Sequence, residues 1–384
     1  MKLKSVDSII LAVVALLACL AASTEPAAAA PQAKTAKAAP APKTPDPAEW
    51  DTLVKNARKE GRVAIYGSVI GNTAGQLQRA FRDRYGINLE FFQGRGAEII
   101  EKLLTERRAG LYVADIGIGG LTTYVGVIAP ANIVVPLEPL IVTDEVKDGT
   151  KWRAGRIPFL DKKKQVVALA ALASLYITVN GTMVKESEIT SFNDLLDPKW
   201  KGKIVINDPT SSGRGNSWFT YMLLKLHGRE KGKEYMKKLV LNQPVVMRDE
   251  RLQTEWVARG KYPVLIGAKP TVIETFVTAG APLKWVKVRE QAPLSSGSLN
   301  LNALQNAPHP NAQKLFVNWI LGREAGEIIA KTSGYPSERT DVARTGFDPS
   351  LLPGPNDVLE DEDYLLQKSE LQKIASEIFK DILQ

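Results

Sequence analysis

The chain has 384 residues, a formal net charge of +8 from 50 lysines and arginines against 42 aspartates and glutamates, and a single cysteine. That length allows two domains of ordinary size, while one cysteine excludes a disulfide framework within the chain and a cysteine metal site. The basic residues are dispersed, not gathered into a stripe interleaved with aromatics, which argues against a nucleic-acid surface and leaves either a solvated basic face or a field that draws in anionic solutes.

Lys2 and Lys4 precede the uncharged run "SIILAVVALLACLAAS" from Ser8 to Ser23. A charged start followed by a short apolar core has the form of an export signal, here residues 1–24. The run falls short of the roughly 20 residues that span a bilayer, and no later segment is apolar for long enough, so a soluble mature protein in the periplasm is expected. "LLAC" ending at Cys19 resembles a lipoprotein signal, whereas Ala21-Ala22-Ser23 suits an ordinary signal peptidase. Either route leaves the folded part without a thiol. Residues 25–46 are mainly Ala, Pro and Lys with almost nothing to bury, and read as a disordered spacer, a tether if Cys19 is lipidated.

The ordered part opens with alternating units. "RVAIYG" (62 to 67) reads as a buried strand, followed by a helix with Leu77, Ala80, Phe81 and Tyr85 inward that Gly86 stops. "NLEFF" is a second strand, "GRGAEIIEKLLTERRAG" a helix ended by Gly110, and "ADIGIG" a third strand. Strand, helix, strand, helix, strand predicts a parallel α/β sheet. The apolar run "VVALAALASLYITVN" (166 to 180) is long enough to cross from one sheet to another. A second α/β unit follows in "KIVIN", a helix with Trp218, Phe219, Met222, Leu223 and Leu226 inward that stops at Gly228, and the strand "YPVLIG". "KWVKVRE" and "SGSLNLNAL" look like strands that lead back. A helix starts at Pro310, which suits a first-turn position, and the tail "LEDEDYLLQKSELQKIASEIFKDIL" reads as one terminal helix.

Three turns share one form, a strand passing into a helix through small residues: Gly94, Arg95, Gly96 and Ala97; Gly119, Gly120, Leu121 and Thr122; Thr210, Ser211, Ser212 and Gly213, with Arg214 next. In an open parallel sheet such turns lie at the carboxyl ends of the strands, where ligands bind. Unpaired backbone N–H groups and the positive end of the helix dipole favour an anion there, each end contributing about 0.3 to 2 kcal/mol. For any single turn a structural role serves equally well: Ser211 or Ser212 as a helix cap, the glycines as backbone geometry, Arg95 and Arg214 pointing to solvent. The repetition in both halves of the chain is what favours a ligand site.

The stretches "FFQGRGAEIIEKLLTERRAG", "ADIGIGG", "ITSFNDLLDPKWKGKIVINDPTSSGRG", "NAPHPNAQKLFVNWILGREAGEIIA" and "SGYPSERTDV", in this order, resemble the extracellular solute-binding proteins of ABC importers, in the branch of ferric-ion, phosphonate and sugar-phosphate binders. The resemblance implies the type II periplasmic-binding-protein fold: two α/β lobes of mostly parallel sheets flanked by helices, with a ligand cleft between them. The expected division is lobe 1 from 47–172 and 295–345, lobe 2 from 173–294, and a C-terminal helical segment at 346–384. It further implies a monomer that holds one small molecule by hinge closure and presents it to membrane permease subunits, with no cofactor and no catalysis.

Ferric binders of this branch carry adjacent tyrosines after the strand that corresponds here to "YPVLIG", where this sequence reads Gly267, Ala268, Lys269, Pro270. Phenolate is a hard anionic donor and an ammonium repels the metal, so a small organic anion is expected: a carboxylate, phosphonate or phosphate ester held by Lys269 with Arg95 or Arg214. Lys269 is otherwise a surface residue in a turn. Ser68, where the early strand runs out in "IYGSVIG", and the Tyr66 and Tyr176 rings complete the candidate wall, while Trp218 has the helical spacing of a core residue. Ferric ion, a ligand-presenting sensor and an exported hydrolase are the alternatives. For the last, Asp115 and Asp208 at strand ends would be the acid and base, although such aspartates commonly cap turns. Neither His227 nor His309 has a partner at metal-ligand spacing.

Overall fold

The computed structural model of the protein describes residues 46–67, 72–94, 96–211 and 213–383. The expected signal peptide, all but the last residue of the spacer, and Ser68, Arg95 and Ser212 lie outside them. Asp46 opens the described chain as a helix cap, its Oδ1 accepting from Ala48 N at 3.0 Å ahead of helix Pro47–Glu60. Gly61 ends that helix at φ 72°, a left-handed turn that glycine adopts without penalty.

The first sheet is built from β1 (Arg62–Gly67), β2 (Asn88–Phe92), β3 (Ile116–Gly119), β4 (Val134–Val135), β5 (Val167–Ala168) and a late strand, Asn300–Leu304. β2, β1 and β3 pair in parallel, whereas Asn300–Leu304 runs antiparallel to β3, β4 and β5. Helices Pro47–Glu60, Thr73–Tyr85, Pro310–Ile320 and Arg323–Ser333 cover one face. Their core includes Phe81, whose ring meets Phe316 edge-on at 5.6 Å and Trp319 at 5.0 Å, geometries that suit the aromatic quadrupole. Helix Gly96–Arg108 and the helical turns from Leu121 to Ile128 cover the other face.

After β5 the chain leaves through β6 (Leu172–Ala173) and enters the second sheet as β7 (Ile177–Asn180), joined there by β8 (Ile204–Asn207), β9 (Val245–Met247), β10 (Val264–Ile266) and β11 (Leu283–Val286). β10, β8 and β9 are parallel, and β7 is antiparallel to both β10 and β11. The apolar run 166 to 180 is therefore three short strands in three sheets. Parallel pairing holds within each α/β unit and gives way to antiparallel pairing at the strand through which the chain arrives from the other lobe. The chain returns by β12 (Pro293–Ser295) and re-enters the first sheet as β13, the strand Asn300–Leu304 already described.

β6 and β12 also pair with each other, and β14 (Val358–Leu359) adds to β12 to give a three-stranded sheet between the lobes. The tail is thus not one helix. Its charged start is drawn into β14 because Val358 N and Glu360 N find carbonyl partners in Ala292 and Leu294. A short helix, Glu362–Leu366, and then Lys368–Phe379 follow, and Tyr364, Leu371, Ala375 and Phe379 join the core of the second sheet with Trp218 and Phe219. Between them the tail touches both lobes: Glu362 N donates to Leu160 O at 2.8 Å and Asp363 pairs with Lys162 at 3.1 Å, while Asp361 pairs with Lys225 at 2.6 Å. Among the described residues no helix is long and apolar enough to cross a membrane.

Candidate functional site

In the second lobe β8 ends in Asn207 and Asp208, and both side chains organise the turn that follows. Asp208 Oδ1 accepts from Thr210 N at 2.8 Å and from Thr210 Oγ1 at 2.6 Å, and Oδ2 accepts from Arg248 Nε at 2.7 Å. Burial raises the Asp208 pKa, but these bonds from Thr210 and Arg248 outweigh it and hold the carboxyl below its usual value. Asp208 is therefore an Asx-turn anchor and not a proton donor. Asp115 is likewise structural, accepting from Ala64 N, His309 N and His309 Nδ1 at 2.8 to 2.9 Å.

The helix Arg214–Tyr221 begins without a side-chain cap, since its N-cap position is Gly213. Of the two serines expected as caps, Ser212 lies outside the described residues and Ser211 does not cap: its Oγ lies 3.3 Å from Asp208 O, and Asn207 Oδ1 reaches over from the strand to accept from Gly215 N at 2.9 Å. The backbone N–H groups of Ser211, Gly213 and Arg214 donate to no described residue. Close approach of helix and strands depends on two glycines. A Cβ on Gly215 would fall 1.8 Å from Asn207 O, and Gly267 at the end of β10, at φ +83°, faces Gly215 N at 3.1 Å.

Arg214 turns back toward the segment that crosses between the lobes. Its Nη2 donates to Leu175 O at 3.0 Å, its Nε to Ala268 O at 3.3 Å, and its guanidinium lies 4.7 Å above the Tyr176 ring. Nη1 is 3.4 Å from Ser174 Oγ. All these acceptors are neutral, so the cation has no ion-pair partner within 4 Å among the described residues. Tyr176 itself is buried. Trp218 is fully buried in the second core and forms no wall.

Lys269 stands elsewhere. It occupies the position before helix Pro270–Thr278, and its Nζ pairs with Glu250 Oε2 at 3.0 Å, with 55% of the side chain exposed. In the first lobe Gly119 and Gly120 end β3. Gly119 O accepts from Asn300 Nδ2 at 2.9 Å and Gly120 O accepts from Thr123 N and Tyr124 N, leaving the Thr122 side chain exposed. Gly96 is the first residue of helix Gly96–Arg108.

The tail contributes groups that periodicity did not reveal. Lys368 Nζ bonds Ser217 Oγ at 3.2 Å, and burial lowers its pKa. Burial raises that of Glu360, which feels the charges of both Arg214 and Lys368. Tyr335 lies against Gly297 and within the field of Arg214. Read as one terminal helix, the tail gave no hint of this; the one signal was "VLEDED", where two apolar residues precede the acidic run as a strand would require.

Residues 143–368, more than half of the chain, match the family model described as bacterial extracellular solute-binding protein. The chain belongs to this family. A Haemophilus influenzae protein of unassigned function is 23% identical over 77% of this chain and 84% of its own length. Among solved structures, the Trichodesmium protein IdiA (FutA) in complex with iron and citrate is similar over 83% of this chain and 99% of its own, at 19% identity and a TM-score of 0.62. AfuA of Actinobacillus pleuropneumoniae, with bound fructose-6-phosphate, matches over 84% and 99% at 23% identity and a TM-score of 0.51. These likenesses show the two-lobe periplasmic binding fold. The second sheet and its turn, 204–214, lie inside the family match.

Proposed function

We propose that this solute-binding protein captures a small organic anion, a carboxylate, phosphonate or phosphate ester, between lobe 1 (47–172 and 295–345) and lobe 2 (173–294) and presents it to the permease subunits of an ABC importer. The observation that carries this reading is Arg214, a part-buried guanidinium that among the described residues bonds neutral acceptors only, beside a turn in which the N–H groups of Ser211, Gly213 and Arg214 donate to no described residue. An anion there gains charge-assisted bonds of about 1.5 to 3 kcal/mol each. Thr210, Ser211, Tyr176 and, across the cleft, Gly119, Gly120 and Thr122 would complete the contacts. Ligand bound by both lobes favours the closed form by the difference of its affinities for the two. Lys269, next to the Ala268 carbonyl that Arg214 bonds, would join these contacts on leaving its exposed pair with Glu250. Export through the N-terminal signal to the periplasm, with Cys19 as a lipid anchor if the lipoprotein route is taken, belongs to the same reading.

Ferric ion is the second reading, since one similar structure holds iron with citrate. Against it, the turn after β10 offers Ala268 and Lys269 where hard anionic donors are required. A thermal-shift screen over carboxylates, phosphonates, sugar phosphates, ferric ion and ferric citrate tests the choice, because a ligand of the folded state raises the melting temperature. A shift with ferric ion alone would reject the anion reading.

A further inference from the structure

Above the carboxyl ends of β1 and β3 the first lobe holds a recess of ≈ 480 Å³, mouth included. Its walls are Tyr66, Ile99, Ile100, Leu103 and Tyr124, and its floor is bare backbone at Gly67, Gly117 and Gly119. Gly119 and Gly120 link it to the cleft, because they are also the turn that Asn300 Nδ2 holds through Gly119 O. One amide stands in this apolar setting. Asn302, on β13 and 2% exposed, projects over Gly117 and lines the recess, and its Oδ1 is buried with no hydrogen-bond partner among the described residues. Gly117 is obligatory beneath it, since a Cβ there would fall 2.3 Å from that oxygen.

A buried carbonyl oxygen without a donor is unfavourable, and folded proteins leave few of them. Besides Asn302 the lining is Ile, Leu and tyrosine, with Thr123 and the glycine backbone as its other polar groups, so a bound group that meets Asn302 Oδ1 must offer it a donor. What such a recess accepts is an apolar group carrying one hydroxyl or N–H.

We propose that the recess is a second ligand subsite that selects an amphiphilic organic anion: the charged head on Arg214, Thr210 and Ser211, and an uncharged aromatic or branched aliphatic body in the first lobe, with one donor on Asn302 Oδ1. This rests on the anion reading above for the head group, but not for the recess. It disfavours sugar phosphates and citrate, whose several hydroxyl or carboxylate groups would lie unpaired against Ile99, Ile100 and Leu103.

The test is calorimetric titration of the mature protein with methylphosphonate, phenylphosphonate, acetate, phenylacetate, 4-hydroxyphenylacetate and the uncharged benzyl alcohol. Full burial of a phenyl group predicts that the phenyl compounds bind roughly 10- to 100-fold tighter than the methyl ones, and the para-hydroxyl adds about fivefold. Ile100→Trp, at a half-buried wall position on helix Gly96–Arg108, should fill the recess and collapse the phenyl-over-methyl ratio toward one. Asn302→Leu should abolish the hydroxyl preference, and Ile100→Trp serves alone if that variant does not fold. Equal affinities for methyl and phenyl compounds, or a ratio untouched by Ile100→Trp, overturn the subsite while the anion reading stands. Benzyl alcohol binding that Ile100→Trp removes, with no anion bound, keeps the subsite and overturns the head-group reading. Binding of none of the six overturns both.

Discussion

Gly215→Ala should dislocate the turn at the centre of the second lobe. The new Cβ would lie 1.8 Å from Asn207 O and 2.5 Å from Asn207 C, where contacts of about 3.4 Å or more are the norm. β8 cannot retreat, because it is paired on both sides, by β10 and β9. The start of helix Arg214–Tyr221 must move instead, by more than about 1 Å, and with it Trp218 and Phe219, both fully buried. Overpacking of this kind costs about 1 to 3 kcal/mol, and loss of the bond from Gly215 N to Asn207 Oδ1 adds about 1 kcal/mol. At roughly 2 to 4 °C per kcal/mol for domains of this size, the melting temperature should fall by about 5 to 15 °C. Because Arg214 and the free N–H groups move with the helix, affinity for an anionic ligand should drop more than tenfold. The control is Gly213→Ala: its backbone is extended and its Cβ would meet only Asn207 Oδ1 at 3.3 Å, so less than about 1 kcal/mol is expected. Thermal unfolding followed by circular dichroism, paired with anion titration, decides the matter. Wild-type stability and affinity in Gly215→Ala, or an equal loss in Gly213→Ala, would refute the reasoning.

Three further outcomes are expected. Arg214→Lys keeps the charge but not the three-way contact with Leu175, Ala268 and the Tyr176 ring, and should weaken anion binding about tenfold by calorimetry, as fork geometry is lost. Glu338→Ala removes the counter-charge of Arg153, whose side chain is 4% exposed and bonded to that carboxylate at 3.0 Å; stability in a urea titration should fall by about 3 to 5 kcal/mol. Asp208, depressed in the folded state, contributes stability that is present above the unfolded aspartate value near 4 and is lost as pH falls through the folded one. Asp208→Asn should accordingly be less stable at neutral pH and show a shallower loss of stability below about pH 4, measured by denaturation across that range.

Glycine punctuation made the element borders readable. Gly86, Gly110 and Gly228 end their helices at positive φ, as their place after apolar helical spacing implied. The three strand-to-helix turns were readable for the same reason, small residues between two periodicities. Side-chain destinations were not. Lys269 sits in the expected turn, yet Glu250, nineteen positions earlier, becomes its partner only once helix Glu250–Ala258 packs beside helix Pro270–Thr278. The run 166 to 180 concealed three strands because a segment buried on all sides has no alternation to show its breaks. Asn300 and Asn302 did alternate within "SGSLNLNAL", and that period of two was the available sign that one face of β13 is polar where β3 ends in glycine.

The third crossing changes how the lobes can move. With β6, β12 and β14 bonded side by side, no single connection can swivel alone, and bending one strand drags its neighbours. A rotation of one lobe against the other has to pass through all three strands together, since hinges absorb rotation in a few residues while packed elements stay rigid. The bond from Glu362 N to Leu160 O ties the tail to the first lobe as well. Trimming the last 25 residues should therefore loosen the whole clamp and not merely shorten the chain.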